Sequence, residues 1–277
     1  MSDAVQHVAR PSDEHAPLSG SGVLGRLTTA LVGRSLECYA VIDSTNRRAT
    51  EWARDKAPDG ALVLAEEQTA GRGRLGRRWH APPGSALLMS LVLRPTLDPV
   101  QAQRATMVCS LGAVQAIRQV AGLETQVKWP NDLVIAGRKV GGILTELGAE
   151  GKALTHVVVG MGINVNLDAS LLPDVMVPAT SLMAEAGTAV SRLELLCRLL
   201  EGVERRYLRM QQGWSPHEEW RAHLSTLGTA VRVGTPDEVI EGDAVDLDPD
   251  GALIVQGTDG KRHRVLAGDV TLRGHRL

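Results

Sequence analysis

The sequence predicts an α+β protein: a mixed β-sheet backed by helices, followed by a small C-terminal β-barrel. Three observations predict it. Between Leu36 and Met210, short apolar runs of strand length alternate with segments whose apolar residues recur at helical spacing. Beyond Leu227 the texture changes to short strands broken by Asp-Gly and Pro-Asp turns, the pattern of a barrel of roughly fifty residues. The hydrophobic fraction of 43% over 277 residues supports a substantial core, and 22% charged residues is ordinary for a globular chain.

Element by element, Met1 to about Gly25 is rich in Ser, Pro, His, Gly and charge, so residues 1–30 are expected to form a flexible tail. CYAVIDST reads as a strand entering a helix capped by Ser44 or Thr45, with TNRRATEWARDK as its body. Ala61–Glu67 and Ala86–Leu93 read as buried strands, the second preceded by a Pro82-Pro83-Gly84 turn. Asp98-Pro99 opens a long helix to about Val120, with Asp as N-cap and Pro in the first turn. QVKWPNDLVIAGRKVGGILTEL reads as strand, turn, strand, joined by Ala136-Gly137-Arg138. His156–Leu167 is the next strand, and Leu193–Met210 the next helix. These elements place one domain over 31–226 and the barrel over 227–277, with the boundary near Ser225–Gly228.

Charge and cysteine usage exclude several classes. With 30 basic and 32 acidic side chains the net charge is −2, which argues against a protein that coats nucleic acid. Cys38, Cys109 and Cys197 are widely spaced and form no C-x-x-C pair, so they read as reduced thiols of a cytoplasmic protein. The histidines show no metal-ligand spacing, and no structural metal is expected. No apolar stretch reaches the roughly 18 residues of a membrane span, and the N-terminus lacks the apolar core of a signal peptide.

Positive charge is concentrated instead in GRGRLGRRW, Gly71 to Trp79. Glycines admit close backbone approach, and guanidinium forks match phosphate and carboxylate oxygens in pairs. Taken alone the loop is ambiguous. It lacks the GK[ST] ending of a phosphate-binding loop, and a nucleic-acid patch or a solvated surface loop would look similar. Its neighbours narrow the reading. DSTN (Asp43–Asn46), EEQTAGRGRLGRRW (Glu66–Trp79), KWPND (Lys128–Asp132), RKVGGILTE (Arg138–Glu146) and GMGINV (Gly160–Val165) occur in that order.

Together these motifs closely resemble the biotin protein ligase family, from about Leu36 to the C-terminus. The resemblance implies a catalytic sheet domain like that of class II synthetases and an SH3-like C-terminal barrel. It also implies an activity: biotin and ATP, with Mg2+ as the partner of the triphosphate, form biotinyl-5′-AMP. Biotin then passes to a lysine of a biotin carboxyl carrier protein, such as that of acetyl-CoA carboxylase. Both steps load charge onto phosphoryl oxygens, which calls for fixed cations and backbone N–H donors.

The same resemblance implies roles for single residues. Ser44, Thr45, Asn46 and Gln68 would hold the ureido head. Arg72, Gly73 and Arg74 would wrap the valerate carboxylate and the α-phosphate, and Lys139 would touch the activated carboxylate and the phosphate. Asn131 and Asn164 would lie near adenine and ribose, with Trp79 stacked over adenine. Asp132 would receive the proton of the acceptor lysine or hold its amine. Arg74, Lys139 and Asp132 are therefore the expected catalytic residues. The DNA-binding module of bifunctional family members has no counterpart in this sequence, so a monofunctional ligase is expected. Two rivals are a lipoate–protein ligase, which shares the fold and the adenylation logic, and a nucleic-acid-binding regulator using the arginine loop. No nucleic-acid or membrane partner is expected.

Overall fold

A computed structural model describes residues 17–151, 153–168, 178–235, 238–266 and 268–272. Strands β1 (Leu36–Ile42), β2 (Ala61–Gln68), β3 (Ala86–Leu93), β4 (Gln126–Lys128), β5 (Asp132–Ile135), β6 (Arg138–Glu150) and β7 (Ala153–Asn164) form one sheet in the order β1-β2-β3-β7-β6-β5-β4. β1 and β2 run parallel and every other pair is antiparallel, so the sheet is mixed, as expected. Strand alternation sends successive side chains to opposite faces. One face carries Leu62, Leu64, Leu87, Met89, Leu91, Val157, Val159, Met161 and Ile163 into the main core. There they meet α3 (Gln103–Ala121) and α5 (Arg192–Gln211), which also pack on each other. Each fully buried aliphatic side chain of this kind contributes about 1.5–3 kcal/mol.

The opposite face is covered only in part. Ala49 and Ala53 of α2 (Thr45–Arg54) pack on Val63, Val92 and Val158. Further along β3 and β7, and on the neighbouring β6, this face carries Ser90, Gly160, Gly162, Gly142 and Glu146. Small and polar residues are interspersed there with Leu88 and Leu144, and the site is built on that stretch.

The C-terminal unit contains β8 (Ala230–Gly234), β9 (Val239–Leu247), β10 (Leu253–Gly257), β11 (Arg262–Val265) and β12 (Asp269–Leu272). They form an antiparallel sheet in the order β11-β10-β9-β8-β12. Val231, Val233, Leu253 and Val255 of this unit join the main hydrophobic cluster, so the two sheets share one continuous core.

Several boundaries differ from the sequence reading. The tail expected over 1–30 is folded from residue 17 onward, and its earlier part lies outside the described residues. Gly20–Arg26 form α1, capped by Ser19, with Val23 fully buried. Glu204 of α5 accepts the N–H groups of Ala30, Leu31 and Val32 at 2.9, 2.7 and 2.8 Å. Order there comes from a carboxylate distant in sequence, which local composition does not reveal. The helix expected from Asp98 begins as a 3-10 turn, Pro99–Gln101, before α3. Arg138 opens β6, and the connection is Ala136-Gly137, with φ of 47° and 77°. β7 ends at Asn164 because the next backbone N–H groups, of Val165 and Asn166, both donate to the Ser85 carbonyl.

Candidate active site

Ser44 caps α2, its hydroxyl accepting the Arg47 N–H at 3.4 Å, and this places Thr45 and Asn46 in the first turn. All three are nearly buried. The Thr45 backbone N–H and hydroxyl both reach Gln68 Oε1, at 2.8 and 3.0 Å. A backbone N–H can only donate, so the Gln68 amide oxygen faces α2 and its NH2 group turns toward Gly71. Asn46 Nδ2 meets two acceptors, the Leu144 carbonyl at 3.2 Å and Glu146 Oε2 at 2.9 Å. Asn46 Oδ1 therefore accepts the Ser90 hydroxyl at 2.6 Å, which commits Ser90's only proton. Thr45 lies 2.8 Å from that hydroxyl oxygen. The pocket thus has a defined polarity, with an amide donor at Gln68. A methyl group at Gly160 would sit 1.9 Å from Asn46 Oδ1, so this glycine is what admits the asparagine.

The arginine loop leaves β2 and folds back on itself. Gly73 N–H donates to the Arg77 carbonyl at 2.7 Å and Trp79 N–H to the Gly71 carbonyl at 3.0 Å, with a bridge between Arg72 and Arg78. Leu75 at the tip has φ 55° and is 71% exposed. A non-glycine residue in that left-handed region costs about 1–2 kcal/mol. Gly71 allows the return strand, since a Cβ there would lie 2.4 Å from the Trp79 carbonyl oxygen. The Trp79 ring lies on Gly162, where an added Cβ would come within 2.5 Å of it. Its indole N–H is buried and has no hydrogen-bond partner among the described residues.

Two loop arginines reach the body of the protein. Arg72 pairs with Glu146 at 3.3 Å, with the arginine side chain 52% exposed. Exposed pairs of this kind are worth about 0–1 kcal/mol, so a ligand anion can displace Glu146 cheaply. Arg74 donates to Asn131 Oδ1 at 3.1 Å and to the Gly268 carbonyl, in the C-terminal unit, at 3.3 Å.

The β5–β6 hairpin supplies the remaining charge. Its two-residue turn sets Lys139 beside Asp132, Nζ to Oδ1 2.6 Å, and Lys139 Nζ lies 5.9 Å from the Trp79 ring centre. A Cβ at Gly142 would meet the end of Lys139 at 3.4 Å and Asp132 at 3.6 Å, which is ordinary contact. Asn131 Nδ2 donates to the Ile143 carbonyl at 2.6 Å, anchoring KWPND to β6. Asn164 is buried and donates to the Thr180 carbonyl at 3.0 Å, so its amide is engaged on the protein side.

The sequence-predicted residues therefore fall into two connected groups. Ser44, Thr45, Asn46 and Gln68 form one, and Arg74, Asn131, Asp132, Lys139 and Trp79 the other, with Arg72 linking them through Glu146. Gly73 lies within the loop, and Asn164 at the end of β7. Ser90 and Glu146 take part in the pocket without having been singled out from sequence. A lone serine inside the apolar run ALLMSLVL was the available signal for Ser90. Glu146 had none, because an acidic residue near a strand's exposed end is unremarkable. Burial pushes the Cys109 thiol up to about 12 and the Cys197 thiol up to about 11, so neither is a nucleophile near neutral pH.

Comparison with known proteins gives this arrangement a class. Residues 38–164 match the model of the biotin/lipoate A/B protein ligase family, and residues 226–273 that of the biotin protein ligase C terminal domain. The bifunctional ligase/repressor BirA of Bacillus subtilis is 36% identical over 258 residues, covering 92% of this chain and 79% of that protein. The biotin–[acetyl-CoA-carboxylase] ligase of Mycobacterium tuberculosis is 35% identical over 246 residues, covering 86% and 88%. Among solved structures, the biotin protein ligase from Aquifex aeolicus in complex with biotin and ATP superposes with a TM-score of 0.73. It is 28% identical, covering 87% of this chain and 99% of that one. The chain belongs to the biotin protein ligase family.

Proposed function

We propose that the protein activates biotin with ATP to biotinyl-5′-AMP and transfers the biotinyl group to a lysine of a biotin carboxyl carrier domain. The observation that carries this reading is the cationic arch. Arg72, Arg74 and Lys139 stand around the glycine-floored face of the sheet, next to a polar pocket whose amide polarity is set by the backbone.

In the first step a biotin carboxylate oxygen attacks the α-phosphorus of ATP and pyrophosphate leaves with the electron pair of the broken P–O bond. Thr45, Asn46, Gln68 and Ser44 hold the ureido head. Arg72 exchanges Glu146 for the carboxylate, and Arg74 and Lys139 balance the growing charge on the phosphoryl oxygens. Trp79 forms the adenine platform, and its unpartnered indole N–H is a donor a ligand acceptor can satisfy. Asn131 and Asn164 flank the nucleotide. In the second step the neutral acceptor amine attacks the acyl carbon and AMP leaves. An alkyl ammonium has a pKa near 10.4, so the amine must first lose a proton, and Asp132 is the carboxylate we assign to take it.

Among the described residues no group of three or more His, Cys, Asp or Glu side chains converges. Magnesium in this reading travels with the triphosphate, held by phosphate oxygens and water. The free thiols suit a cytoplasmic setting.

The test is incubation with Mg-ATP and a carrier domain, with biotin or lipoate supplied separately, followed by intact-mass measurement and pyrophosphate–ATP exchange. Addition of one biotinyl group and biotin-dependent exchange are expected. Exchange that responds to lipoate and not to biotin would reject the substrate, and no exchange with either would reject the reaction.

A further inference from the structure

The C-terminal sheet reaches into the catalytic half of the molecule through two backbone carbonyls. Gly268 accepts Arg74 of the arginine loop, and Gly251 accepts the indole N–H of Trp129 at 2.9 Å. Trp129 belongs to KWPND, the turn that carries Asn131 and Asp132, and is 1% exposed. Its backbone N–H donates to Thr226 Oγ1 at 2.9 Å, so both of its donors are held by residues beyond the end of α6 (His217–Ala222).

The turn presenting Gly251 is itself braced. Asp248 Oδ1 accepts the N–H groups of Asp250 and Ala252 at 2.9 and 2.8 Å, and its other oxygen pairs with Arg264. Gly251 has φ 90°, and a Cβ there would come within 2.5 Å of Met107 Cε and 3.0 Å of Gln103. Gln103 in turn donates to the Pro130 carbonyl at 3.3 Å. An exposed cap needs none of this: a buried indole, a left-handed glycine and a braced turn converge on one segment of the site.

We infer that Trp129 is a positioning residue through which the C-terminal sheet sets the KWPND turn, and with it Asn131 and Asp132, against Arg74 and Lys139. This rests on the ligase reading for its kinetic consequence, but not for its structural one. The turn is a short connection between β4 and β5, and the indole hydrogen bond joins its buried tryptophan to the C-terminal sheet, beside the bonds that Asn131, Asp132 and the Pro130 carbonyl make within the catalytic half. A small displacement of Asn131 and Asp132 then weakens the chemical step and leaves the biotin pocket on α2 as it was, because the hydrogen bonds that hold Ser44, Thr45, Asn46 and Gln68 run to one another and to Arg47, Ser90, Leu144 and Glu146.

The experiment compares Trp129→Phe with Trp220→Phe. The Trp220 indole is equally buried and donates at 2.9 Å to Ser110 Oγ on α3, which is not a site residue. For Trp129→Phe we expect kcat of pyrophosphate exchange and of carrier biotinylation to fall at least about tenfold, with the biotin KM within about twofold. Amide exchange of the peptide spanning 126–133 should accelerate. Trp220→Phe should lower Tm without changing kcat or that peptide's exchange. Asp248→Ala, remote from every reacting group, should show the same split as Trp129→Phe on a smaller scale, and serves if that variant does not fold. Unchanged kcat and unchanged exchange of 126–133 in the Trp129 or Asp248 variant would overturn the inference, as would an equal kcat loss in Trp220→Phe. Absence of biotin-dependent turnover in the wild type would instead reject the ligase reading, and the amide exchange comparison would still decide the clamp.

Discussion

Asp132 and Lys139 share one hydrogen bond across the β5–β6 hairpin, and this makes the choice of substitution informative. Asn at 132 keeps an oxygen that can accept from Lys139, so the ammonium stays in place and only the proton acceptor is lost. Asp132→Asn should therefore leave pyrophosphate exchange within a few-fold of wild type and slow transfer to the carrier by about 100-fold, the scale of one general base. Asp132→Ala also releases Lys139, and both half-reactions should fall. Equal losses in the two half-reactions for Asp132→Asn, measured separately, would remove Asp132 from proton transfer. The neighbouring glycines behave differently from each other. A methyl at Gly142 meets ordinary contacts at 3.4 Å, whereas one at Gly141 meets the Gly162 carbonyl oxygen at 2.9 Å. Gly142→Ala should retain activity within about threefold, and Gly141→Ala should lose unfolding free energy on the scale of an overpacked core site, about 1–3 kcal/mol in urea unfolding.

Among the elements, the arginine loop and the β1–α2 pair carry the clearest expectations. The loop is rich in like charge, has a left-handed tip, and is tied to the body by Arg72 and Arg74. Its proteolysis within 71–79 should be suppressed by biotinyl-AMP, since the bound anhydride adds anchors for those arginines and the closed loop excludes water from it. Cleavage at the same rate with and without the adenylate would count against closure. Glu37 on β1 accepts Arg48 of α2 at 2.7 and 2.8 Å, and that hydrogen bonding, opposed by burial and aided by Tyr39, holds its carboxyl below the usual range. A depressed carboxyl stabilises the fold above the unfolded-state pKa of about 4.3 and loses that contribution as pH falls through the folded value. Glu37→Gln should cost about 1 kcal/mol near neutral pH, and the gap in Tm from wild type should close as pH drops below about 4. A gap independent of pH would mean that packing, not charge, is responsible.

Across the whole molecule, Glu66 joins four distant segments. Its carboxylate accepts Arg192 of α5 at 2.9 Å, Leu18 N–H at 2.8 Å and Gly84 N–H at 3.2 Å from its place on β2. Arg192 is 1% exposed, so removing Glu66 takes a charge partner from a guanidinium held in a low-dielectric region. Glu66→Ala should cost about 3–5 kcal/mol in thermal or urea unfolding, far more than any exposed pair on this surface. A cost under about 1 kcal/mol would show that the other partners of Arg192, the Ala86 carbonyl among them, are enough.

The sequence alone determined the α+β class, the strand and helix succession, the arginine loop and the identity of most candidate site residues. Periodicity and turn chemistry are local properties, and the ordered motifs are specific enough to name a family. Only tertiary structure decided that residues 17–30 are folded, that the Leu144 carbonyl sets the polarity of the Asn46 amide, that Glu146 links the pocket to the loop, and that Gly251 and Gly268 carry the C-terminal sheet into the site. Each depends on a partner far away in the chain. Hydrogen bonds of that kind leave no periodic trace, because what matters is which backbone group the fold brings near and not which residue comes next.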